Sequence, residues 1–304
     1  MPTEAERLET MALELASQPG YRVLRRLDPA YAGGRPIHAG NIRRAAIVDV
    51  ETTGTDPKVD QLIELAVIVF EYEAATGQVG PVVGRFSGLE DPGRPIPPEV
   101  TAIHGITDDM VKGKRLDEGA VVASLKNVGL VISHNASFDR PFLEARLAQF
   151  SAMPWACSLR DVDWRAHGCS SSSLEFLAYR AGFFYDAHRA EADCRAVLAV
   201  LARVLEDRRT ALAELLEHAR QPSFRLAALN SAFETKDMLK ERGYRWNVDA
   251  KTWVLDLMES DKVPELAWLK ENIYGGRNTQ VEIESIDARR RYSGREGHKE
   301  RVEL

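Results

Sequence analysis

No apolar run in the 304 residues approaches the roughly 18 needed to cross a bilayer. The N-terminus, MPTEAERLETMALELASQPG, carries acids where an export signal carries a basic segment. These absences predict a cytoplasmic chain with no membrane partner. Cysteine is scarce as well: Cys157, Cys169 and Cys194 show no Cys-x-x-Cys spacing, which argues against a disulfide framework and against a thiolate zinc site. A basic excess is also missing. The formal net charge is -6, an awkward value for a chain that must touch phosphates. Its distribution matters more than its sum, because residues 1–220 hold 25 Lys and Arg against 31 Asp and Glu, while residues 221–304 hold 15 of each. The acidity therefore belongs to the first part, and charge alone excludes no polyanionic partner. No internal repeat is visible, and low complexity is confined to Ser170–Ser173.

What is present is a globular composition, 44% hydrophobic and 28% charged, in a length that fits about two domains. Residues 1–40 read as a helical extension over Ala5–Ser17, with Leu8, Met11, Ala12 and Leu15 on one stripe, followed by a Gly/Pro-rich linker, AYAGGRPIHAG. Arg44–Val50 and Leu62–Phe70 are β-branched apolar runs separated by TGTDPKVD, the pattern of two buried strands in a hairpin. A third strand is expected at Val82–Ser87. Then the period changes: Glu118–Asn127 reads as helix, Leu130–Ser133 as strand, and Ser137–Phe150, Ser173–Ala181 and Arg189–Leu205 as helices. Strands followed by alternating helix and strand predict an α/β layered domain at 41–210. A second, small α/β module is expected at 221–288, from FRLAAL, ETKDMLKERG and WVLDL, and a basic disordered tail at 289–304.

Three short segments carry the chemistry. In Asp49-Val50-Glu51-Thr52-Thr53-Gly54 the two-residue period of a strand puts both carboxylates on one face. Two like charges that close, with apolar neighbours, are destabilising unless a cation neutralises them, and a hard divalent ion is the natural partner. Alone, the pattern is weak and better describes an edge strand with two exposed acids. Asp139, in His134-Asn135-Ala136-Ser137-Phe138-Asp139, falls in the first turn of a helix, where an acid is also favoured by the dipole. His188 and Asp193, in His188-Arg189-Ala190-Glu191-Ala192-Asp193, are five apart and share a face only if the histidine precedes the regular helix.

Together these segments resemble the DEDDh exonuclease family, whose motifs D-x-E-T-T-G, N-x-x-F-D and H-x-A-x-x-D appear here in order as DVETTG, NASFD and HRAEAD, across about Arg44–Leu205. A further stretch, IPPEVTAIHGIT at Ile96–Thr107, is similar to a loop of the proofreading epsilon subunits of bacterial DNA polymerase III and their relatives. The resemblance implies an RNase H-like mixed sheet flanked by helices and 3′→5′ hydrolysis at DNA ends. It implies two divalent ions, Mg2+ or Mn2+, held by Asp49, Glu51, Asp139 and Asp193, with His188 as general base. Thr52, Thr53, Gly54, His104 and Phe138 would hold the terminal nucleotide, although Phe138 also suits a core. Glu64, a charge inside LIELAVIVF, is read either as a substrate-side acid or as half of a structural ion pair.

The alternatives are an RNA-trimming enzyme, since nothing here locates a contact to a 2′-OH, and a non-catalytic, polymerase-associated protein that would have lost a motif residue. None is lost. Association with a polymerase or a sliding clamp is a further expectation, the latter resting on Gln221–Leu226, which also reads as a strand. In the second module, cations interleave with Tyr244, Trp246 and Trp253, a mixture suited either to nucleic acid or to a small core. Truncation after about Arg220 is expected to spare cleavage of very short substrates and weaken processing of long strands.

Overall fold

A computed structural model describes residues 3–304. In chain order the first part contains α1 (Glu4–Ala16), β1 (Arg25–Arg26), β2 (Ile42–Thr52), β3 (Leu62–Glu73), β4 (Val79–Leu89), α2 (Pro98–His104), α3 (Asp108–Val111) and α4 (Glu118–Ser124). It continues with β5 (Leu130–Ser133), α5 (Ala136–Arg146), β6 (Trp155–Cys157), α6 (Leu174–Ala181), β7 (Phe183–Phe184), α7 (Ala190–Leu201) and α8 (Ala211–Arg220). The sheet order is β4-β3-β2-β5-β6. Strands β2, β3 and β4 pair antiparallel, and β5 and β6 join β2 in parallel. This is the mixed, helix-flanked sheet expected of the RNase H-like class.

The buried runs of β2 and β3 follow from this layering. Ile47, Ala66, Ile68 and Phe70 pack on one face with Leu177, Val197 and Leu212 from α6, α7 and α8. Val48, Leu65, Val67 and Val69 pack on the other with Val121, Phe142 and Leu143 from α4 and α5. Each of the Val, Ile, Leu and Phe side chains among them contributes about 1.5–3 kcal/mol by leaving water. Both faces are covered, so the apolar run is continuous rather than alternating. Pro141 lies in the second turn of α5 and removes the N–H that would reach the Ser137 carbonyl.

Several boundaries move. Helix α8 was not anticipated, and its Leu212, Leu215 and Leu216 belong to the first core, which therefore runs past 210. The stretch read as a linker is tied down: Gly34 donates to the Gly80 carbonyl, and a Cβ at Gly34 would lie 2.0 Å from the Val79 oxygen, so only glycine permits the approach. Helix α1 forms as expected, with a Thr3/Glu6 capping box, yet buries none of its residues.

The second part is an antiparallel sheet of β8 (Ser223–Ala228), β9 (Arg245–Asn247), β10 (Thr252–Met258), β11 (Gln280–Ile286) and β12 (His298–Glu303), in the order β12-β11-β8-β10-β9. Helices α9 (Lys236–Glu241) and α10 (Glu259–Asn272) cover one face, where Phe224, Leu226, Leu239, Leu269 and Ile283 form a core. The tail expected to be disordered is instead structured. Its end forms β12, paired with β11 from Gln280↔Glu303 to Ser285↔His298. Its sequence hid this because five of the six β12 residues are exposed, so little apolar alternation exists to be read.

Between β11 and β12 the chain returns to the first part as a strap. Arg140 of α5, fully buried, donates to the carbonyls of Ala288, Arg289 and Arg291 and pairs with Glu144 at 2.6 Å. The Tyr292 hydroxyl donates to Asp161, and the Trp155 N–H donates to the Ala288 carbonyl at 2.7 Å.

Candidate active site

Strand β2 ends where β5 gives way to α5, and the start of α7 packs over the same end. Asp49 and Glu51 leave β2 on one face. With Asp193 of α7 they each offer a carboxylate oxygen, and these oxygens lie within 4.8 Å of one another. Asp139 sits beside them, 2% exposed, accepting from the Val50 N–H at 3.2 Å and from the Ser133 hydroxyl at 2.9 Å. Asp193 accepts from the Tyr185 hydroxyl at 3.0 Å and from the Arg189 N–H at 2.9 Å.

The electrostatics show a cluster short of positive charge. Burial, then the repulsion of Asp139, Asp193, Glu51 and Glu64, holds the Asp49 carboxyl well above the ordinary carboxylate range. Glu51 is pushed up to about 8 by burial and by Asp193. Asp139 rises to about 7 through burial, although its hydrogen bonds from Ser133 and Val50 oppose the rise, and burial also raises Asp193. Four carboxylates that resist ionising together, three of them with converging oxygens, are a donor set suited to hard divalent cations.

His188 stands exposed, two residues before the first residue of α7 and with φ 63°. Because it precedes the helix, the five-residue spacing to Asp193 is accommodated. The loop is pinned by Glu64, whose carboxylate accepts from the Arg189 guanidinium at 3.2 Å and from the Ala190 N–H at 3.2 Å. Of the two readings of Glu64, the ion pair is present, and it touches the histidine's neighbours. Sequence reasoning gave Arg189 no role, because its partner lies 125 positions away.

The residues expected to hold a nucleotide are placed unevenly. The Thr52 hydroxyl donates to the Gly54 carbonyl at 2.5 Å, and Thr53 is buried, bonded to Asp60, Gln61 and Arg94. A Cβ at Gly54 would meet the Asp60 carboxylate at 2.4 Å, so glycine lets Asp60 close this turn. Phe138 is half-buried against Phe142, ring centroids 5.2 Å apart. His104 closes α2, whose cap Gly105 has φ 72°. Its Nδ1 accepts from the Ile106 N–H at 2.9 Å, which puts the ring hydrogen on Nε2, a buried atom with no partner among the described residues. Burial lowers the pKa of His104. The clamp-like hexapeptide lies mostly within β8, a central strand, with Phe224 and Leu226 buried in the second core.

No helix among the described residues is long and apolar enough to cross a membrane. A family model described as "Exonuclease" matches residues 46–201. DNA polymerase III subunit epsilon of Treponema pallidum is 31% identical over 186 residues, covering 58% of this chain and 83% of that protein. The PolC-type DNA polymerase III of Thermotoga petrophila is 30% identical over 53% of this chain, which spans only 12% of that longer protein. Among solved structures, exonuclease X in complex with 5′ overhanging duplex DNA is 27% identical, covering 52% of this chain and 89% of that one, with a TM-score of 0.40. The match over 46–201 and the relative spanned over most of its length place this chain in the exonuclease family, hydrolases of nucleic-acid phosphodiester bonds.

Proposed function

We propose that the protein is a 3′→5′ exonuclease that removes nucleoside monophosphates from DNA ends with two divalent cations, Mg2+ or Mn2+. The observation that carries this reading is the convergence of the Asp49, Glu51 and Asp193 oxygens beside buried Asp139, in a cluster whose own charges repel. When bound, the cations supply charge neutralisation for the attacking and leaving oxygens. Asp49, Glu51, Asp139 and Asp193 hold them. An imidazole nitrogen of His188 takes a proton from the attacking water as its oxygen bonds to phosphorus. The bond from phosphorus to the 3′-oxygen of the penultimate nucleotide breaks in the same displacement, and that oxygen takes a proton from solvent, leaving a 3′-hydroxyl on the shortened strand. The unpartnered Nε2–H of His104 and the half-buried ring of Phe138 meet the terminal nucleotide, while Thr52, Thr53 and Gly54 shape the turn beneath it. DNA is preferred to RNA on the strength of the epsilon relative's name, which also supports service beside a polymerase.

The test is incubation with 5′-labelled DNA and RNA strands, with magnesium or manganese and with EDTA. Products shortened stepwise from the 3′ end, metal-dependent and faster on DNA, are expected. Shortening from the 5′ end, or cleavage that persists in EDTA, overturns the reading.

A further inference from the structure

Between the two sheets lies a cleft of about 600 Å³, away from the carboxylate cluster but abutting the first turns of α5 at Ser137 and Pro141. Its lining holds six arginines, Arg160, Arg225, Arg245, Arg290, Arg291 and Arg295, against three aspartates. The pairing leaves positive charge over. Arg225 and Arg245 share one carboxylate, Asp256, at 2.7 and 2.6 Å. Arg225 also lies 3.7 Å from Glu284, and Arg295 pairs with Glu144. Arg291 is 6% exposed, yet its guanidinium goes to the His218 and Gln221 carbonyls and the Ser223 hydroxyl, with no carboxylate. Arg160 and Arg290 are exposed and have no side-chain hydrogen bond or ion pair among the described residues. Asp161 is turned inward to Tyr292 and the Cys157 N–H, and Asp261 forms the remaining acidic edge.

The pleat explains why the second sheet contributes cations here. Phe224, Leu226, Leu255 and Leu257 face its helices, so Arg225, Asp256 and Arg245, one register step away, face the opposite side. The walls are joined by the strap that Arg140 anchors, so the cleft exists before any ligand arrives and ordering it costs little.

We propose that this cleft is a second binding site, for the phosphodiester backbone of the strand whose 3′ end occupies the carboxylate cluster. The inference rests on the nucleic-acid substrate proposed above. Guanidinium groups bind phosphate oxygens bidentately, and the Phe and Tyr rings of the lining are engaged elsewhere, Phe224 in the second core and Tyr292 against Asp161, so the grip is on backbone and is insensitive to sequence. It also resolves the conflict posed by a net charge of -6: repulsion by the acidic part is offset by a local patch rather than by the whole surface.

The experiment measures binding of fluorescein-labelled single strands of about 3 and about 20 nucleotides to the full chain by anisotropy, in EDTA so that nothing is cut. Wild type is compared with the Arg160→Gln/Arg290→Gln and Arg160→Lys/Arg290→Lys double variants. The Gln variant should bind the long strand about tenfold more weakly, with a salt slope lower by about one per arginine lost, and the short strand unchanged within about twofold. The Lys variant should recover most of the affinity. Both positions are exposed, and equal melting temperatures verify the fold. Equal long-strand affinity and salt slope in wild type and the Gln variant overturn the proposal. So does a loss that is the same for both lengths, or protection by inorganic phosphate without any length dependence. Hydrolysis of the same strands by wild type with magnesium reports separately on the functional reading.

Discussion

Glu64 and Arg189 are joined across the end of the sheet: the buried carboxylate of β3 takes the Arg189 guanidinium at 3.2 Å and, through its other oxygen, the Ala190 N–H at 3.2 Å. His188, directly before Arg189, is thereby held in a left-handed conformation that is uncommon outside glycine. Glu64→Gln weakens that hold and at the same time removes a charge that repels Asp49 and Glu51. Turnover should fall about 10- to 100-fold, as for other residues that orient a catalytic group, while the melting temperature changes little. A large loss of stability with unchanged turnover would mean that Glu64 serves only the fold.

Removing metal should stop hydrolysis, and Asp49→Asn or Asp193→Asn should do the same, because each takes an oxygen from the converging set. Magnesium or manganese should raise the melting temperature of the wild-type chain, and Asp139→Ala should shrink that rise. Full activity of Asp49→Asn, measured on a labelled strand, counts directly against the assignment.

The metal-free protein should lose stability as pH rises. Glu51 titrates near 8 and Asp139 near 7 in the folded chain, above their ordinary values of 4.5 and 3.8. Across the interval between, the folded state binds more protons than the unfolded one, so unfolding becomes easier with increasing pH from about 4 to about 8 and levels off above. Cations replace those protons and should flatten the slope. Urea midpoints with and without EDTA across this range test it; a midpoint that rises with pH in EDTA contradicts it.

His188→Ala should lower turnover roughly 10²- to 10⁴-fold through loss of a general base, with strand affinity retained. Single-turnover rates and anisotropy separate the two. Weakened affinity at unchanged rate would assign the histidine to substrate contact.

Arg140→Ala should cost on the order of 3 kcal/mol, because it leaves the buried Arg291 carbonyl without its donor and takes one of two donors from the Ala288 and Arg289 carbonyls, which keep the Trp155 N–H and Arg295. For the same reason, cutting the chain after Arg220 is not the mild change its position implies. It strips the strap from α5, which carries Asp139, and should depress hydrolysis even of very short strands. Urea denaturation of the point variant and rates for the truncated chain on a trinucleotide decide this.

The order of motifs along the chain names carboxylates that the fold brings together, since DVETTG, NASFD and HRAEAD each read as a strand end or a helix start. The β2–β3 hairpin and α7 were equally legible, their apolar periods being long and unbroken. Other features rest on contacts between residues far apart, which periodicity does not record. Arg189 gains its role from Glu64, 125 positions away, and Arg140 from carbonyls about 150 positions away. Strand β12 is held by backbone pairing with β11, an interaction indifferent to side chains, so its charged residues gave no sign of it. Sequence by itself determined which residues could bear the chemistry, because local period and residue type suffice for that. Only the tertiary structure decided which charges are compensated and which, as at Arg160 and Arg290, find no partner among the described residues, because charge pairing is set by distance in space.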